Sequence, residues 1–199
     1  MQIRISNILK NTKVEGPETR YCIWVQGCSN HCRGCQATHT WAHNGGKLYD
    51  TDDIINDILN YKDKIEGVTF LGGEPFEQAE AVGLIAEKVK SMNLGVLTFS
   101  GKYLEELRLD KKNLTLLNNT DLLIDGPFEI DKLDYSRPWC GSSNQRYHFL
   151  TNRYNATIFT KYKNKVEVNI SKNGIVFMNG MGDFTSILRK IDLKSVKNC

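Results

Sequence analysis

The chain contains no run of eighteen apolar residues, which excludes a helix long and apolar enough to span a bilayer. Its first residues, Met1-Gln2-Ile3-Arg4-Ile5-Ser6, lack the basic and apolar blocks of a secretory leader, so a cytoplasmic protein is expected. Charge of one sign is also missing: 26 Lys and Arg against 23 Asp and Glu leave a formal net charge of +3. Without a basic patch, nucleic-acid binding finds no support. No internal repeat or low-complexity linker is visible, and the cysteines form no second C-x2-C-like pair. With 199 residues, 40% of them hydrophobic, the chain is long enough for one sizeable core and too short for two comfortable domains.

What is present is concentrated. Three of the six cysteines, Cys28, Cys32 and Cys35, form a C-x3-C-x2-C array within Gly27-Cys28-Ser29-Asn30-His31-Cys32-Arg33-Gly34-Cys35. Three thiolates on one loop hold three irons of a four-iron cluster and leave the fourth open to a reactive ligand. A Cys3His zinc site using His31, His39 or His43 is the rival, and zinc sites usually come as paired C-x2-C-like elements. Three buried thiols without metal form a weaker alternative, because clustered thiols are reactive. In a reducing compartment Cys22, Cys140 and Cys199 are expected to stay as thiols.

The hydrophobic pattern alternates strand and helix. Residues 21–26 read as a buried strand that delivers the cysteine loop from its C-terminal end, and residues 50–62 as a helix with Ile54, Ile55, Ile58 and Leu59 on one face. A strand over 67–71 runs straight into Gly72-Gly73-Glu74-Pro75. A helix over 76–92, a strand over 95–100, a short helix from 103 to 107 and a strand over 121–124 complete the series. Such alternation predicts parallel βαβ units with ligands gathered at the strand C-termini. Beyond Arg146 the pattern predicts a meander over 156–160, 166–170 and 175–178, the last two strands forming a hairpin around Ser171-Lys172-Asn173-Gly174, and a final helix over 183–191. The expected division is a core over 1–150 and an extension over 151–199 packed on it.

The glycine turn has two readings. Gly72 and Gly73 allow backbone to approach a small ligand, and Glu74 is suited to accept hydrogen bonds from an ammonium group. Equally, Pro75 at the first helical position and Glu74 beside it make an ordinary strand-to-helix turn.

Together the cysteine array and this turn resemble the radical S-adenosylmethionine superfamily, and within it the activases of anaerobic ribonucleotide reductase. Gly16-Pro17-Glu18-Thr19-Arg20, Phe99-Ser100-Gly101, Leu123-Ile124-Asp125-Gly126 and Gly141-Ser142-Ser143-Asn144-Gln145-Arg146 extend the likeness over roughly residues 1 to 150. The resemblance implies a partial (β/α)6 barrel with a small C-terminal hairpin and helix. It also implies a [4Fe-4S] cluster on Cys28, Cys32 and Cys35, and S-adenosylmethionine held by Gly72, Gly73 and Glu74. Its reductive cleavage to a 5′-deoxyadenosyl radical would install a glycyl radical on the large subunit of anaerobic ribonucleotide reductase, with a flavodoxin or ferredoxin-like electron donor. Ser100 and Asp125 are candidate cofactor contacts, with turn formation as the plainer role of each. Arg20, Asn144 and Gln145 are candidate partner or substrate contacts, set against a surface ion pair and loop capping. The sequence departs from the family at Gly34, Glu18 and Cys140. The extension keeps open a stand-alone enzyme acting on a peptide or small molecule.

Overall fold

The computed structural model describes residues 1–190. Seven strands, β1 (Gln2–Thr12), β2 (Arg20–Val25), β3 (Lys47–Asp50), β4 (Gly67–Gly72), β5 (Gly95–Phe99), β6 (Leu122–Asp125) and β7 (Arg146–Phe149), form one sheet in the order β3-β1-β2-β4-β5-β6-β7. β2, β4, β5 and β6 run parallel, while β1, β3 and β7 pair antiparallel. The helices are α1 (Thr51–Tyr61), α2 (Ala79–Ser91), α3 (Leu104–Leu107), α4 (Leu114–Asn118), α5 (Ile158–Lys161) and α6 (Phe184–Lys190); β8 (Val166–Ile170) and β9 (Val176–Gly180) pair as a separate hairpin. The result is a mixed α/β fold with a central, mostly parallel sheet, in which β2, β4, β5 and β6 are the parallel strands. No helix among the described residues is long and apolar enough to cross a membrane.

Two of the helices have a clear local start. Asp50 caps α1 by accepting from the Asp52 amide at 3.1 Å, and a 3-10 turn over Pro75–Gln78 leads into α2. Ile54 and Ile58 of α1, Val82, Ile85, Ala86 and Val89 of α2, and Leu116 and Leu117 of α4 bury against Ile23, Val68, Phe70, Val96 and Leu123 of the sheet. Each of these side chains larger than Ala86 contributes roughly 1.5–3 kcal/mol on leaving water. On the opposite face Leu97, Leu122 and Ile124 meet Trp139, Cys140, Tyr154 and Ile158. Val96 and Leu97 therefore point to opposite faces, as the two-residue period of a strand requires.

Three differences from the sequence reading have simple causes. β3 and β7 are the edge strands and β1 is the antiparallel strand inside β3, and only the Ile3 and Ile5 positions of β1 show the alternation of a half-buried strand. Residues 156–160 form a turn leading into α5 rather than a strand, because Asn155 accepts from the Thr157 amide at 2.9 Å and starts the turn. The hairpin's second strand begins at Val176, since Ile175 closes the turn by donating to Ser171 Oγ at 2.9 Å. Ile191, expected to end the last helix, and Cys199 lie outside the described residues.

Candidate functional site

β2 and β4 end side by side, Trp24 opposite Leu71 and Val25 opposite Gly72, so the cysteine loop and the glycine turn leave the sheet together. The cysteine loop is closed at its neck, where Gly27 donates to the Thr40 carbonyl at 2.7 Å and Cys28 to the Trp41 carbonyl at 3.1 Å. Gln26 reinforces the closure by donating to the carbonyls of His39 and Ala42. Glu77, at the start of the helical segment after the glycine turn, accepts from the Ser29 amide at 2.8 Å and pairs with His43 at 2.7 Å. His31 stacks on Trp41 with ring centroids 4.6 Å apart. Cys28 is buried, while Cys32 and Cys35 are half-buried. Burial raises the thiols of Cys28 and Cys32 above their ordinary range, with nearby backbone amides pulling the other way.

The glycines permit contacts that no side chain would. A Cβ on Gly73 would stand 2.2 Å from the Gly27 carbonyl oxygen, and one on Gly72, at φ +101°, would lie 2.6 Å from the Trp24 Cα. The amides of Gly73 and Glu74 are not free for a ligand: they donate at 2.8 Å to the carbonyls of Val25 and Gly27. The turn instead presents a bare backbone surface to a cavity of about 260 Å³. Cys35, Ser100, Gly101, Trp24, Phe99 and Gln145 line the same cavity.

Glu74 is 0% exposed and joins three loops. Its Oε1 accepts from Ser100 Oγ at 3.0 Å and the Phe76 amide at 3.1 Å; its Oε2 accepts from Asn30 Nδ2 at 2.9 Å and the Gly101 amide at 2.8 Å. Burial raises its pKa, and these four donors lower it. Both oxygens are thus occupied, and Ser100 spends its hydroxyl on Glu74 rather than on a ligand. The carboxylate acts as a clamp between the cysteine loop, the glycine turn and the loop after β5.

The remaining candidates are bonded within the fold, and of them Gln145 also lines the cavity. Arg20 is 0% exposed: Nε donates to Thr69 Oγ1 at 3.0 Å, Nη1 to the Tyr154 hydroxyl at 2.8 Å, and Nη2 to the carbonyls of Val68 and Gly95. That burial corrects the expectation of a partner-facing or surface arginine. Asp125 accepts from the Leu104 amide at 2.7 Å and from Arg146 Nε at 2.9 Å, so it holds α3 and β7 rather than facing the cavity. Gln145 Oε1 accepts from the amides of Gly141 and Ser142, and Asn144 Nδ2 donates to the Pro127 carbonyl at 2.7 Å. Those amides hold their own loop. Cys140 is buried in the second apolar cluster.

Glu15, Phe177 and Asn179 were not legible as site residues, yet all three line the cavity. Burial pushes the Glu15 carboxyl up to about 7, against the pull of the Gly180 amide and the Asn179 side chain.

Whether these residues suit a cluster is decided by the donor set. Among the described residues no three His, Cys, Asp or Glu side chains are gathered tightly enough to hold a single metal ion. Three thiols on one closed loop, one of them opening into a cavity with a bare glycine floor, fit a multi-iron group with a small ligand beside it.

The 4Fe-4S single cluster domain profile matches residues 14–148. The chain is 33% identical over 142 residues to the anaerobic ribonucleoside-triphosphate reductase-activating protein of Haemophilus influenzae, covering 68% of this chain and 90% of that protein. Against the protein of the same name from Escherichia coli K12 it is 33% identical over 144 residues, 69% of this chain and 92% of that one. The crystal structure of QueE from Escherichia coli shows a partial likeness at 17% identity and a TM-score of 0.41, over 51% of this chain and 53% of that one.

Proposed function

We propose a function from one premise: the chain belongs to the 4Fe-4S single cluster domain family and to the anaerobic ribonucleoside-triphosphate reductase-activating proteins. It is a radical S-adenosylmethionine activase, with a [4Fe-4S] cluster and S-adenosylmethionine as its cofactors. Its function in this reading is to install a glycyl radical on the large subunit of an anaerobic ribonucleotide reductase in the cytoplasm, drawing electrons from a flavodoxin or ferredoxin-like donor. The parallel strands β2, β4, β5 and β6 support reading the fold as a partial (β/α)6 barrel.

When bound, the two cofactors supply reductive cleavage of S-adenosylmethionine and abstraction of a hydrogen atom from a C–H bond. The chain supplies position. Cys28, Cys32 and Cys35 would hold the cluster, and their raised thiol pKa values mean that loading displaces protons. Gly72, Gly73 and the Ser100-Gly101 turn form the floor on which the methionine end would rest, while Glu74 fixes that floor to the cysteine loop. Trp24, Phe99 and Phe128 line the cavity and exclude water from the reacting atoms.

One observation carries the reading: Glu74 ties the cysteine loop and the glycine turn to the rim of a single cavity. The test is anaerobic reconstitution with iron and sulfide, reduction, and incubation with S-adenosylmethionine and the reductase of the same organism. The expected result is 5′-deoxyadenosine together with the electron-spin-resonance signal of a glycyl radical on the reductase, both absent with Cys35→Ala. Deoxyadenosine formed without the reductase and coupled to turnover of a small metabolite would overturn it in favour of a stand-alone enzyme.

A further inference from the structure

We propose that the β8–β9 hairpin is a displaceable wall of the cavity, and that the acceptor admitted when it lifts is a protein backbone segment; this rests on the activase reading above. The hairpin lies outside the matched residues 14–148, yet Phe177, Met178, Asn179 and Gly180 line the same cavity as Gly72 and Gly73. It is the specificity element in this arrangement. With the wall docked, the cavity of about 260 Å³ suits a small cofactor. With it lifted, one side opens along the sheet, which an extended backbone needs and a small molecule does not.

The attachment of the wall is slight and mostly polar. Thr12 Oγ1 donates to Glu167 Oε2 at 2.6 Å and accepts from Asn179 Nδ2 at 3.1 Å, and the Gly180 amide donates to Glu15 Oε1. Phe177 meets Trp24 edge to face with centroids 6.1 Å apart. At the hairpin's outer end Ile170 and Ile175 are 53% and 68% exposed. Water can replace the polar bonds at little net cost, unlike the packing beneath the helices.

Docking also carries two penalties that lifting relieves. Asn179 is 4% exposed, and its Oδ1 has no hydrogen-bond partner. Glu15 is enclosed, with a pKa of about 7 against an ordinary 4.5. The charged and titratable groups around it are Glu167 from β8 and Cys22 from β2, while Arg20 donates to Thr69 Oγ1, which in turn donates to the Glu15 backbone carbonyl and not to its carboxyl. A carboxyl whose docked pKa is raised binds its proton more tightly when docked. Docking is therefore strongest below the ordinary pKa and weakens as pH rises to about 7, by a factor on the order of 100.

Hydrogen exchange on the full-length protein at pH 5 and pH 8, corrected for the intrinsic rates, reads this directly. The expected result is that the amides of β8 and β9 lose at least about tenfold in protection at pH 8 while β4 and β5 are unchanged, and that Glu15→Gln removes the difference. Adding the anaerobic reductase at pH 7 is expected to lower hairpin protection further as the complex forms. Hairpin amides as protected as β4 at both pH values, a pH response that survives Glu15→Gln, or unchanged protection in the complex would each overturn the proposal. Failure of the wild type to place a radical on the reductase would sink the activase reading instead, while the pH arm still decides whether the wall lifts.

Discussion

The two faces of the sheet share their strands and differ in what closes them. One face is sealed by α1, α2 and α4 through aliphatic side chains with no accessible surface, such as Ile58, Ile85 and Val89. The other is covered in part by Trp139, Tyr154 and Ile158 and in part by a hairpin held through threonine, asparagine and glutamate. The first face stores stability, because apolar area returned to water is lost in proportion to its extent. The second gives access, because its hydrogen bonds have nearly equivalent partners in solvent.

Substitutions on either side sharpen this contrast. Ile85→Ala, in the middle of the helix-covered face, is expected to cost about 4 kcal/mol of global stability in denaturant unfolding, from lost transfer energy and the cavity left behind. Glu74→Ala is expected to cost about 3 kcal/mol, because Asn30, Ser100 and the amides of Phe76 and Gly101 lose their acceptor. Its diagnostic effect is on iron content after anaerobic reconstitution, which should fall well below that of the wild type even where the protein remains folded. Phe177→Ala is expected to change global stability by less than about 1 kcal/mol while loosening the hairpin, seen as lost protection confined to residues 166–180. A global loss from Phe177→Ala as large as that from Ile85→Ala would erase the distinction between the two faces.

The parallel strands and the chemistry at their ends were readable in the sequence, since β2, β4, β5 and β6 are short apolar runs and the cysteine loop and glycine turn directly follow two of them. The edge strands were not, because β3 and β7 carry few buried side chains and owe their form to a neighbour's backbone. Arg20 shows the limit on side-chain roles: a charged residue at a strand start reads as exposed, and only the fold reveals Thr69, Tyr154, Val68 and Gly95 waiting as acceptors. Glu74 was legible as important, while its attachment to Asn30 and Gly101 depends on loops far apart in sequence. Asn179 and Glu15 were invisible for the same reason, being separated from their partners by most of the chain.

That separation has a consequence for biosynthesis. The bonds from Thr12 to Glu167 and Asn179 join the first strand to the β8–β9 hairpin, across sequence separations of 155 and 167 residues. On a ribosome adding roughly 5–20 residues per second, the cysteine loop emerges several seconds before the hairpin that will stand over it. During that interval the cysteine loop and the glycine turn stand without their wall, so in the proposed reading a group loaded on Cys28, Cys32 and Cys35 meets a more open site than the finished chain offers.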